Sequence, residues 1–170
     1  PWTNAQTGQL LDWVKKELGA EPEYVVPTHS HQDCTGGLEE SQKHGALTYS
    51  LEKTAEICEE NNQLTAQMTF TDSYEFKCGN IKVELHYHGP GHTVDNIVAW
   101  LPDKKILFGG CMVKAADSKT LGFIKEADLE KWPQTIQTLK EKYKDVILII
   151  PGHGDPGGVE LLENTLKLLK

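Results

Sequence analysis

Apolar positions recur along this chain with two periods, and the change from one to the other marks out its elements. From Thr3 or Asn4, both good N-cap residues, to Gly19, a helix terminator, Leu10, Leu11, Val14 and Leu18 fall at helical spacing and predict an amphipathic helix. Residues 24–27 predict a short buried strand. Gly36-Gly37 opens a second short helix towards His44, residues 46–49 predict a weak strand, and residues 51–60 a Glu-rich helix. Residues 73–77 and 81–87 then predict strands joined by a Gly79-Asn80 turn. In the second of these, Ile81, Val83, Leu85 and Tyr87 share one face and Lys82, Glu84, His86 and His88 the other. Residues 96–101 and 105–108 predict another hairpin, turned at Pro102-Asp103. Leu129, Trp132, Ile136, Leu139 and Tyr143 return to helical spacing, with Pro133 early enough to be tolerated in a first turn. An apolar strand over residues 146–150 follows, and Leu161, Leu162, Thr165, Leu168 and Leu169 predict a closing helix. Strands and helices interleave, so the class is α/β or α+β. No repeat, low-complexity tract or linker interrupts the 170 residues, which predicts one domain over 1–170.

The chemistry concentrates in the loop after the first predicted strand, where residues 28–37 read Thr-His-Ser-His-Gln-Asp-Cys-Thr-Gly-Gly. His29, His31 and Asp33 stand at every second position, and extended backbone would project all three to one side as a chelate. A lone His-x-His is more often an ordinary polar loop. The remainder of the chain changes that balance. His92 lies within Gly-Pro-Gly-His-Thr-Val-Asp-Asn, Cys111 follows Gly109-Gly110, and His153 lies within Pro-Gly-His-Gly. Each follows a strand-like segment and sits among glycines, where backbone turns sharply and approaches closely. Six donors are too many for one tetrahedral zinc and suit two, each keeping an open position. Imidazole, carboxylate and thiolate favour zinc over magnesium or calcium and leave other transition metals open. His86 and His88 are most simply the polar face of their strand and stay outside the site.

Charge narrows the partners. The chain carries 25 acidic and 17 basic residues, a net charge of −8, with no basic cluster. That composition argues against a nucleic-acid partner. No apolar run approaches membrane-spanning length. Cys34, Cys58, Cys78 and Cys111 are too irregular for a zinc ribbon and too sparse for a disulfide scaffold. The chain starts at Pro1 without an initiator Met, which implies that an upstream segment was removed.

Together, His29-Ser-His31-Gln-Asp33, the Gly-His-Thr-Val-Asp-Asn run around His92, Gly-Gly-Cys111-Met-Val-Lys114 and Pro-Gly-His153-Gly resemble the metallo-β-lactamases of subclass B1, in the same motif order. Cys34 after Asp33, and Cys111 as the later ligand, separate this pattern from thioesterases and ribonucleases of the same fold. The resemblance implies an α+β, four-layer αβ/βα sandwich whose first sheet lacks its N-terminal part in this chain. It implies two zinc ions, one held by His29, His31 and His92 and the other by Asp33, Cys111 and His153. Asp33 would also orient the attacking water, Cys34 would stand directly behind the ligands, and Lys114 would bind the substrate carboxylate. Phe123 stands where many members carry an Asn beside the developing oxyanion. The implied activity is hydrolysis of the β-lactam amide of penicillins, cephalosporins and carbapenems, conferring antibiotic resistance. The implied setting is the periplasm, with a small-molecule substrate, no nucleic-acid or membrane partner, and a monomer when complete. The alternatives are another hydrolase of this fold acting on a thioester, lactone or phosphodiester, and a catalytically silent zinc-binding fragment.

Overall fold

The computed structural model describes residues 1–170, which divide into two compact units, Pro1–Thr71 and Asp72–Lys170. The first unit opens with α1 (Asn4–Trp13), whose N-cap Thr3 side chain accepts from the Gln6 amide. The helix runs on through a π-helical turn, Val14–Leu18, and stops at Gly19, where φ is +61°. Such a left-handed residue costs glycine nothing. Only Leu11 of the predicted apolar stripe is buried, and Leu10 and Leu18 are exposed.

Strand β1 is two residues long, Tyr24–Val25, and pairs in parallel with β2 (Leu47–Leu51). Strand β2 pairs in parallel with β3 (Met68–Phe70), a strand absent from the sequence reading. Between β1 and β2 lie a single helical turn, α2 (Gln32–Thr35), and α3 (Leu38–Lys43); α4 (Glu52–Glu60) links β2 to β3. Gly37 lets α3 begin against α1, because a Cβ there would overlap the Thr7 hydroxyl.

The second unit is a five-stranded sheet in the order β4-β5-β6-β7-β8. Strands β4 (Ser73–Cys78), β5 (Ile81–Tyr87), β6 (Ile97–Leu101) and β7 (Ile106–Gly110) pair antiparallel. Strand β8 (Leu148–Pro151) pairs in parallel with β7. A parallel partner requires a crossover, and α5 (Trp132–Lys142) provides it; α6 (Glu160–Leu168) closes the chain. Pro133 sits at the second helical position of α5, where its missing N–H costs no hydrogen bond. Val98, Trp100, Leu107 and Ile149 of the sheet pack with Trp132, Ile136 and Leu139 of α5 and Leu161 and Leu162 of α6. This is the core on which the second unit's loops stand.

The Glu84 and His86 side of β5 is polar but lies opposite Trp100 and Val98 of the core, and His88 just beyond the strand is packed against Tyr143. His86 contacts Glu84, with Nε2 to Oε2 at 3.2 Å, and stacks on His88. His88 shares a 2.8 Å hydrogen bond with the Tyr143 hydroxyl. Burial, and then the charges of Lys142 and His86, push the His88 pKa down to about 4. The unfolded chain therefore takes up a proton from about pH 6.5 downwards, whereas the folded protein resists until about pH 4. The stability tied to neutral His88 is complete above that window and is lost as pH falls through it. In chelator-treated protein, His88→Gln should flatten the decline in unfolding midpoint between pH 6.5 and 4. A slope equal to that of the parent chain would refute the assignment.

Candidate functional site

Each unit carries part of the donor set. In the first, β1 ends shortly before Thr28, and residues 28–30 are buried. His29 is fully buried, and its ring meets that of His31 edge-on at a centroid separation of 4.6 Å. His31 is extended, with φ −66° and ψ 153°, and caps α2. Its carbonyl accepts from the Cys34 and Thr35 amides at 2.9 and 3.0 Å. Asp33 therefore rides on a helical turn and does not continue an extended run, which corrects the simple alternation expected from the sequence. The turn brings the Asp33 carboxylate back towards the first histidine, with Oδ1 3.6 Å from His29 Nε2. On the other side of that ring, Cys34 Sγ lies 3.3 Å from His29 Nδ1 and 3.4 Å from the Thr28 hydroxyl. Ligand atoms of His29, Asp33 and Cys34 thus lie within 4.8 Å of one another.

In the second unit, His92 sits in a loop held from several sides. Asn96 accepts from the Thr93 amide at 2.9 Å and donates to the Gly89 carbonyl at 3.2 Å and to Met112 Sδ at 3.2 Å. The Thr135 hydroxyl of α5 donates to the Pro90 carbonyl at 2.7 Å, and the Asp128 amide to that of Gly91 at 3.0 Å. The His92 ring packs edge-on against Trp132 at 5.9 Å. The Gly-Pro-Gly-His motif is accordingly a fixed mount for one imidazole.

Cys111 and His153 are brought together by strand register. Strands β7 and β8 run parallel and end level, with Gly110 opposite Pro151. The Gly152 amide donates to the Gly110 carbonyl at 2.7 Å. The two ligand-bearing turns therefore leave the sheet side by side. Cys111 Sγ lies within 4.8 Å of a ligand atom of His92 and of one of His153. Gly152 has to be glycine for this approach, because a Cβ there would stand 2.5 Å from Cys111 Sγ and 2.6 Å from its amide nitrogen. Cys111 is buried and His153 exposed, so the group has a dry side and an open side.

Beyond Cys111 the chain is anchored on α6. The Lys114 amide donates to the Thr165 hydroxyl at 2.8 Å, and the Asn164 amide group donates to the Ala115 carbonyl at 2.7 Å. The Lys114 ammonium lies 5.4 Å from the centre of the Trp132 ring, a cation–π distance. Lys114 lines a cavity of about 340 Å³ together with Cys111, His153 and Lys119. Nothing in the spacing of Lys119 distinguishes it in the sequence from any loop lysine. Phe123, at the expected Asn position, is 53 % exposed.

In each unit the side chains that lie close together suit a divalent transition metal: imidazole, carboxylate and thiol in the first, imidazole and thiol in the second, where the Gly152 backbone makes room for the Cys111 sulfur.

The comparisons agree with this chemistry. Residues 69–165 match the family model of the metallo-beta-lactamase superfamily. A metallo-beta-lactamase type 2 from Bacteroides fragilis is 38 % identical over 169 residues, covering 99 % of this chain and 68 % of that protein. One from Elizabethkingia meningoseptica is 37 % identical, with the same coverage. Among solved structures, a metallo-beta-lactamase from Pontibacter korlensis superposes with a TM-score of 0.95 at 41 % identity, covering 99 % of this chain and 78 % of that one. The chain belongs to the metallo-β-lactamase superfamily and has its α+β fold. The resemblance drawn from its motifs to the subclass B1 enzymes holds across essentially the whole chain.

Proposed function

We propose that this chain is a zinc-dependent hydrolase that opens the amide bond of penicillins, cephalosporins and carbapenems, and so confers resistance to them. The observation that carries the proposal is the donor chemistry: His29, Asp33 and Cys34 converge in one unit, and Cys111 converges with His92 and His153 in the other. These are the residues at which the motifs of the family fall.

In this reading the whole chain acts as one domain. One zinc would be held by His29, His31 and His92, and a second by Asp33, Cys111 and His153. Bound there, the metal supplies Lewis acidity that makes water nucleophilic at neutral pH. The Asp33 carboxylate accepts a hydrogen bond from the attacking water and orients it. Cys34, against His29 Nδ1, fixes which ring nitrogen faces the metal. Lys114, in the cavity beside Cys111, holds the substrate carboxylate as a point charge. Phe123 offers no hydrogen-bond donor to the developing oxyanion. The protein works as a periplasmic monomer, and no helix of the structure is long and apolar enough to cross a membrane.

A chromogenic cephalosporin assayed with and without chelator tests this reading. Hydrolysis that disappears with chelator and returns with zinc is expected. A zinc-replete protein that cleaves thioesters, lactones or phosphodiesters but no β-lactam would replace it with another hydrolase of the fold. One that cleaves none of them would mark a silent zinc-binding protein.

A further inference from the structure

The cavity beside Cys111 and His153 carries two ammonium groups, those of Lys114 and Lys119, and no carboxylate lines it. In a protein of net charge −8 this is a local inversion of sign. Seven other lysines, Lys15, Lys16, Lys43, Lys82, Lys105, Lys131 and Lys140, are taken up in ion pairs with carboxylates. Lys119 is not among them. Its position is nonetheless fixed at the backbone. The Ser118 amide donates to the Ala115 carbonyl at 3.1 Å, and the Asn164 side chain of α6 donates to the carbonyls of both Ala115 and Ser118. On the other side, Thr120 Oγ1 accepts from the Gly122 amide at 3.3 Å. Lys119 therefore projects from a braced turn into a cavity whose other cation, Lys114, already lies over the Trp132 ring.

We propose that Lys119 is a specificity-determining residue of this pocket, a second cation that favours β-lactams carrying two anionic groups over those carrying one. The inference rests on the proposed β-lactam hydrolysis and deepens it. Lys114 takes the carboxylate common to the substrates. Lys119, on the solvent side of the same cavity, takes a carboxylate or sulfonate on a side chain. Because Lys119 is exposed, its attraction is modest and screened by salt.

The test compares zinc-loaded parent chain with Lys119→Ala, Lys119→Arg and Lys119→Glu on two β-lactams that differ only in a side-chain carboxylate. Lys119→Ala should lower kcat/KM for the dianionic substrate by about 3- to 5-fold, through KM, and leave the monoanionic substrate within about 2-fold. Lys119→Glu should widen the difference, and Lys119→Arg should restore the parent preference. The parent's preference should fade with added salt more steeply than that of Lys119→Ala, which a merely structural residue would not produce. Equal losses on both substrates, or no change on either, overturn the proposal. Should the parent turn over neither substrate, the hydrolase reading fails by itself. Chemical-shift titration with the two ring-opened products then decides the role of Lys119: a preference for the more anionic product that vanishes in Lys119→Ala upholds it, and equal affinities overturn it.

Discussion

Replacing Gly152 by alanine is expected to reduce kcat/KM on any β-lactam by about 10²-fold, the scale on which misplacing a reacting group by about 1 Å acts. The added Cβ would lie 2.5, 2.6 and 2.8 Å from Sγ, N and Cα of Cys111. Two of those atoms are backbone, so rotating the cysteine side chain gives no relief. The neighbouring turns are themselves pinned by the Gly152 to Gly110 hydrogen bond and by the paired ends of β7 and β8. Either the strand ends separate or the thiolate leaves its place. The cost to folding should be only about 1–3 kcal/mol, as for other overpacked sites, so a folded but disabled enzyme is the expected product. Bound metal measured beside kcat/KM checks this, and a variant with parental activity would show that the close approach is dispensable.

The largest loss of stability is expected for Trp132→Ala, about 3–5 kcal/mol. Trp132 is fully buried at the start of α5, and two loops of the second unit, those of residues 91–92 and 112–114, meet on it. Its indole N–H donates to the Met112 carbonyl at 3.0 Å, its ring packs against His92, and the Lys114 ammonium lies over it. Its Cδ1 would also stand 3.0 Å from a Cβ at position 91, so indole and Gly91 are fitted to each other. Trp132→Phe keeps much of the packing and leaves the buried Met112 carbonyl without this donor, which should cost about 1–3 kcal/mol. Chemical denaturation of the three proteins separates packing from hydrogen bonding. Equal midpoints for the parent chain and Trp132→Ala would contradict the role given to the indole.

Much of this organisation is legible in the residues. The alternation along β5 sets His86 and His88 apart from the donors, and the structure pairs them with Glu84 and Tyr143, on a side that the core partly covers. The hairpins at Gly79-Asn80 and Pro102-Asp103 follow from their turn residues. The candidate donors stand out in the sequence because His29, His31, His92, Cys111 and His153 sit in turns that follow strand-like segments, with Asp33 just behind on the turn α2. What spacing could not decide was the conformation between them. Positions 29, 31 and 33 alternate as a strand would, yet 29 and 33 are also four apart, and the chain uses that second relation by winding one helical turn after His31. Strand β3 is not legible in the sequence because three residues carry too little alternation; its identity comes from pairing with β2, a tertiary event. Leu129 has the helical spacing of Trp132 and Ile136 but lies before α5 and is 46 % exposed. The cavity at Lys119 depends on how residues 116–122 fold back onto α6, which no periodicity records.

The central claim is that these six donors form a metal centre that hydrolyses β-lactams. Stepwise addition of zinc to metal-free protein, with bound metal and carbapenem hydrolysis followed in the same sample, tests it most directly. No turnover is expected without metal, and turnover should rise with bound zinc until two equivalents are held. His29→Ala and Cys111→Ala should each lower the number of equivalents bound and the rate together. Two equivalents bound without hydrolysis of any β-lactam, or hydrolysis undiminished in the metal-free protein, would contradict it.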